Sequence, residues 1–364
     1  MSALSVDALW PRAGDWPAPE SLEAPDAVLL GVPAWRTSLS PTGAGETPAA
    51  VRDALRRYST TVMGPPPLDL NTVLRIADAG DVDEPDGRAG EERVRAAVAA
   101  LGSATLLIAL GGDNSATYAV AQGRRARGLI TLDAHFDLRD GESNGSPVRR
   151  LLADGLDPRR VVQIGIADFA NSAAYARRAA DAGITVITLD EVRRRGIDAV
   201  VADALRIAGG GADEPSPRGS RADDARAARA GTDEPSAAGA GTEAHAAREG
   251  TEAHGARAET QARAAGAGTD DPRALPGAED SGIHLDIDVD VCDRSVAPGC
   301  PASVPGGLAA WELRALVRRI AQHPLVISAD IVEVDATADT ADARTVRLAA
   351  LCVLELLAGL AERP

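Results

Sequence analysis

The sequence predicts an α/β protein whose eight-stranded, mainly parallel sheet carries helices on both faces. Short apolar runs bounded by Gly, Pro and Asp alternate with longer amphipathic Arg/Ala/Glu stretches, the pattern of repeated strand–helix–strand units. Eight such runs occur, and parallel neighbours require crossover helices that cover both faces of the sheet. The chain has 364 residues, 45% of them hydrophobic and 25% charged, which allows a sizeable core and excludes a wholly disordered chain.

The expected strands are 27–32, 73–77, 104–110, 128–133, 161–166, 185–189, 283–289 and 326–332. Helices are expected at 47–58, 92–101, 170–182, 191–207, 309–322 and 342–360. The last contains LAALCVLELLAGLA, which Glu355 interrupts and which falls short of the roughly 20 residues needed to cross a bilayer. It reads as a core helix.

One segment departs from this pattern. Residues 209–280 are dominated by Ala, Gly, Glu, Asp, Arg, Thr and Pro, with Leu275 the sole large aliphatic residue. Such a stretch cannot bury enough apolar area to offset the entropy of ordering it. It is expected to be a disordered, acidic, low-complexity insertion, with His245 and His254 as bystanders. Residues 1–208 and 281–364 then form a single α/β domain.

Charge and composition remove several functions. Basic residues number 38 and acidic residues 54, a net charge of -16 that repels nucleic acid and anionic membranes. No lysine occurs, so Schiff-base and P-loop lysine chemistry are excluded. Cys292, Cys300 and Cys352 form no CxxC pair and no even disulfide framework, and the N-terminus lacks a secretory signal pattern. A cytoplasmic protein is expected.

Ligands of parallel sheets bind beyond the carboxyl ends of the strands. There the sequence places GGDNS (111–115), DAHFD (133–137), DIDVDVCD (286–293) and EVD (333–335). The strand period of two would point Asp133, His135 and Asp137 the same way, and Asp286, Asp288 and Asp290 repeat that spacing. Converging buried carboxylates demand a cation. Carboxylates with one imidazole favour Mn or Mg over Zn.

These blocks resemble the signatures of the ureohydrolase family, which includes arginase, agmatinase and formimidoylglutamase. The likeness covers GGDNS, DAHFD, DVDVCDRSVAPGCPASVPGG and the N-terminal GVPAWRTSLSPTGAGETPAAVRDAL. Within the family, SNGSPVR and QIGIADFANSAAY look most like the actinobacterial-type formimidoylglutamases. The resemblance implies a three-layer α/β/α, arginase-like fold and two Mn2+ ions per subunit. It also implies hydrolysis of a linear amidine by a metal-bridging hydroxide, foremost N-formimidoyl-L-glutamate to L-glutamate and formamide.

Carried over residue by residue, Asp133 and Asp288 would bridge the metals. His135 and Asp290 would complete one ion's ligands, and Asp137 with Asn114 the other's. Glu333 would hold the cationic end of the substrate. Asn114 departs from the family's GGDH histidine, and Asn144 stands where arginases and agmatinases carry a histidine, so Asn144 is expected in catalysis and substrate binding. Asp286 occupies a position usually Ser, and Arg294 replaces a proline after Asp293. With no lysine, the substrate carboxylates would need arginine, and Arg139, Arg149 and Arg36 are the candidates. The alternatives are another guanidino substrate, or a weakly catalytic fold whose insertion recruits a partner. Homo-oligomers occur among relatives.

Overall fold

The structure is a computed structural model, and it describes residues 7, 9–211 and 282–364. From residue 212 onward the expected insertion lies outside the described residues, as do His245 and His254.

The strands are β1 (Ala27–Val32), β2 (Thr61–Val62), β3 (Leu68–Asp69), β4 (Ile76–Asp81), β5 (Leu106–Gly111), β6 (Gly128–Leu132), β7 (Val161–Ile166), β8 (Thr185–Thr188), β9 (Ile283–Asp288) and β10 (Val326–Val332). Eight of them form one sheet in the order β4-β1-β5-β10-β9-β6-β7-β8. Every pairing in it is parallel, while β2 and β3 make a separate antiparallel pair. The helices are α1 (Thr47–Leu55), α2 (Leu70–Val73), α3 (Gly87–Ala100), α4 (Ser115–Gly123), α5 (Pro147–Ala153), α6 (Ala173–Ala182), α7 (Leu189–Arg195), α8 (Ile197–Ala208), α9 (Ala310–Ala321) and α10 (Arg344–Ala361).

Alternation along the strands divides the core between the two faces. On β5, Leu106, Ile108 and Leu110 join a cluster with Val51 and Leu55 of α1, Val200 and Ala204 of α8, Leu316 of α9 and Val353 of α10. Leu107 and Ala109 instead meet Val94 and Val98 of α3 and Ala119 and Val120 of α4. The result is the expected three-layer α/β/α architecture. Each fully buried Leu or Ile contributes about 1.5–3 kcal/mol relative to leaving it exposed.

Some boundaries differ from expectation, each for a local reason. Asp69 caps a single helical turn by accepting from the Asn71 amide at 3.1 Å, so the strand expected at 73–77 begins only at Ile76. The helix expected at 191–207 is two helices, because Gly196 sits at φ 79° between them. α7 opens on a capping box in which Thr188 and Glu191 satisfy each other's backbone amides. The expected core helix near the C-terminus is α10, with Leu348, Val353 and Leu356 buried. Among the described residues no helix is long and apolar enough to cross a membrane.

Candidate metal centre and active site

The candidate residues come from the ends of four adjacent central strands, β5, β10, β9 and β6. Asn114 follows β5, Glu333 follows β10, Asp288 and Asp290 end or follow β9, and Asp133, His135 and Asp137 follow β6. The GGDN turn after β5 fits only with glycine at 112, where a Cβ would stand 2.0 Å from the Ala34 carbonyl oxygen.

The Asp/His residues converge, although not by the strand pleat. β6 stops at Leu132, and Asp137 has a left-handed backbone at φ 52°. After β9 the chain turns through a 3-10 helix (Val289–Val291), capped where the Asp288 carboxylate accepts the Asp290 amide at 2.8 Å. These turns bring one ligand-type atom each of Asp133, His135 and Asp290 within 4.8 Å of one another. His135 Nδ1 lies 2.7 Å from Asp290 Oδ2, and the Ala134 amide donates to Asp290 Oδ1 at 3.0 Å. Asp286 is fully buried, with neither oxygen hydrogen-bonded among the described residues.

A second group surrounds Asn114. Its Nδ2 donates to Asp137 Oδ2 and, at 3.3 Å, to Asp288 Oδ2, while its Oδ1 accepts the Thr117 hydroxyl at 2.6 Å. The amide therefore turns its nitrogen toward the carboxylates. The Thr117 hydroxyl can donate to an oxygen or accept from a nitrogen, so a turned amide would keep its partner and present oxygen instead. Glu333, at φ 60°, accepts the Asn114 backbone N–H at 2.8 Å and Asn144 Nδ2 at 2.9 Å, both on Oε1.

Electrostatics mark the same cluster. Burial and the charge of Asp290 push Asp133 up to about 6. Burial raises Asp137 and Asp288 well above the ordinary carboxylate range, with neighbouring carboxylates adding to it. Burial also lifts Glu333 to about 8, with Asp113 contributing. For His135 burial opposes the charge, yet Asp290 and Asp133 raise it to about 11. Asp290 is held low against burial by that imidazole. Asp133 Oδ2 is buried and has no partner among the described residues. Crowded carboxylate oxygens with one imidazole and an open oxygen at the centre are a donor set that fits hard divalent cations.

His135, Asp137, Asp288, Asp290 and Glu333 of the cluster line a cavity of about 250 Å³. Arg139 and Asn144 line it, together with Phe136, Asn171, Ser172 and Tyr175. Arg149 does not line it: its guanidinium donates to the carbonyls of Arg139 and Gly141. Arg36 also lies elsewhere, with its side chain 64% exposed and its backbone amide bonded to Asp86. Thr117, Asn171 and Tyr175 were not singled out from sequence. The last two lie in QIGIADFANSAAY (163–175), and its run beyond the end of a strand is the signal that marks them.

Fold and site together define a metal-dependent hydrolase with a carboxylate-rich centre at the carboxyl end of a parallel sheet. The arginase family model, described as "Arginase family", matches residues 25–215 and 228–359, and the chain belongs to that family. It is 29% identical to a formimidoylglutamase of Bacillus subtilis over 351 residues, covering 92% of this chain and 88% of that one. The crystal structure of formimidoylglutamase from that species gives a TM-score of 0.75 at 27% identity, over 100% of this chain and 96% of the other. A formimidoylglutamase of Halobacterium salinarum is 30% identical over 94% of this chain and 90% of its own length. A Trypanosoma cruzi formiminoglutamase structure with Mn2+ shares the fold at TM-score 0.68 and 22% identity, over 93% of this chain and 95% of that one.

Proposed function

We propose that the protein hydrolyses N-formimidoyl-L-glutamate to L-glutamate and formamide with two Mn2+ ions. Asp133, Asp137, Asp288 and Asp290 would hold the ions, with His135 and a turned Asn114 completing the set. Their four carboxylates balance two divalent charges. When bound, the ions supply Lewis acidity that makes a water nucleophilic at neutral pH.

The observation that carries this reading is the polarity of the cavity. Its lining is acidic, and among the described residues Arg139 is the arginine on its wall. An amidine with a carboxylate-bearing tail is complementary to both. Glu333, fixed on one oxygen by the Asn114 and Asn144 amides, keeps its other oxygen for the amidinium N–H groups. It favours a cationic amidine over a neutral amide. Arg139 offers a planar fork to a substrate carboxylate. Asn144 orients Glu333, and an amide in that place moves no proton. In the reaction water adds to the amidine carbon, the carbon–nitrogen bond to glutamate breaks, and the departing amine takes up a proton.

A substrate series tests the assignment. N-formimidoyl-L-glutamate should exceed agmatine and guanidino acids in kcat/KM by about 100-fold or more, as expected when a buried recognition group is left unpaired. Faster turnover of a guanidino acid with urea release would replace it.

A further inference from the structure

Arg149 stands outside the cavity and yet is bonded to the segment that builds its wall. It lies in the first turn of α5. Its Nε donates to the Arg139 carbonyl at 2.7 Å, and its Nη2 donates to the Gly141 carbonyl. Its own amide donates to the Asp137 carbonyl at 3.2 Å. These bonds tie α5 to the stretch 137–141, which carries Asp137 and Arg139 and leads into Asn144.

That stretch belongs to no strand or helix. Gly141 at its tip takes φ 88°, and the Arg139 amide closes its neck on the Gly145 carbonyl at 2.9 Å. The Arg139 side chain runs across Gly145, where a Cβ would come within 2.7 Å of Arg139 Cδ. The direction of the Arg139 guanidinium therefore depends on the placing of its own backbone. A planar fork reaching the carbonyls of Arg139 and Gly141, two residues apart, fixes that backbone in a way a single ammonium cannot.

We propose that Arg149 is a positioning residue for substrate recognition. It holds the 139–141 backbone so that Arg139 faces the cavity, and it touches neither substrate nor metal. This rests on the reading that Arg139 takes a substrate carboxylate.

A double-mutant cycle tests it with Mn2+-loaded full-length protein and N-formimidoyl-L-glutamate. The variants are Arg139→Ala, Arg149→Ala, the pair, and Arg149→Lys, with kcat, KM and bound Mn2+ measured for each. Arg149→Ala should raise KM by about tenfold, the scale of one lost charged hydrogen bond, with kcat and Mn2+ content within about twofold. Arg149→Lys should recover only part of the loss. In the Arg139→Ala background, Arg149→Ala should change KM by less than about twofold, because residues acting as one unit are not additive.

An unchanged KM in Arg149→Ala, or the same rise with and without Arg139, would overturn the proposal. Lost Mn2+ in Arg149→Ala would overturn it too, by assigning the residue to the metal centre. An unchanged KM in Arg139→Ala would instead remove the underlying reading, and this proposal with it. If Arg149→Ala does not fold, Arg149→Lys and Arg149→Gln carry the same cycle.

Discussion

Asn144 Nδ2 donates to Glu333 Oε1 at 2.9 Å, while Asn144 Oδ1 accepts the Leu39 amide at 3.0 Å. The amide is thus held at both ends, joining the loop after β1 to the carboxylate after β10. Each end of the group has a partner, and a flip would set oxygen against the carboxylate and NH2 against the Leu39 N–H, which fixes the amide nitrogen on Glu333. On the proposed function, the position supplies orientation of Glu333 where the resemblance places a histidine in arginases and agmatinases.

Asn144→Asp should therefore be worse than Asn144→Ala. The aspartate sets a like charge against Glu333 and a second acceptor against an acceptor. Asn144→Ala should lower kcat/KM by about tenfold, the scale of one hydrogen bond to a charged group, and Asn144→Asp by more. Steady-state kinetics check the order, and equal losses would contradict the orienting role.

Glu333→Gln keeps shape and removes charge. If the carboxylate holds the amidinium, kcat/KM should fall by about 100-fold or more, the scale of a lost electrostatic partner in an active site. Bound Mn2+ should be unchanged. Loss of metal with activity would make Glu333 a metal ligand.

The metal-free protein should lose stability as pH rises. Asp133 keeps its proton to about 6 and Glu333 to about 8, chiefly because burial disfavours their charged forms. Unfolding returns both to the ordinary range near 4, so between about pH 4 and 8 the folded state binds more protons than the unfolded one. His135, raised to about 11 by Asp290 and Asp133 against burial, adds the same sign above about pH 6.5. Metal replaces these protons, so Mn2+ should raise the unfolding midpoint more at pH 8 than at pH 5. Melting curves with and without chelator check this, and an equal shift at both pH values would contradict it.

Asn114→His should hold Mn2+ more tightly, because an imidazole nitrogen replaces an amide that turns its NH2 toward Asp137 and Asp288. Retention of metal during dialysis measures it. Weaker retention would mean that Asn114 serves the site through its hydrogen bonds alone.

The strands were legible because a covered parallel sheet writes its interior as local apolar runs, and 27–32, 161–166 and 326–332 match in both ends. α4 and α5 escaped notice, being short segments of 9 and 7 residues next to motif blocks. At the site, Asp133, His135 and Asp290 were visible as ligand types at strand ends. Their convergence was expected from the strand pleat and is produced by turns, which spacing does not encode. The arginines divide for the same reason. Whether Arg139 or Arg149 faces the cavity depends on which carbonyls the neighbouring loop exposes, a tertiary fact with no local signature.

On the proposed function, a metal held by this carboxylate cluster drives hydrolysis of a substrate with a formimidoyl group and a glutamate tail. The most direct measurement is L-glutamate release from N-formimidoyl-L-glutamate by Mn2+-loaded protein, beside the same protein after chelation and after Mn2+ is restored. Equal amounts of glutamate and formamide are expected, with loss of both on chelation and recovery with Mn2+. Release that persists after complete removal of metal, or none from folded protein carrying Mn2+, would contradict it.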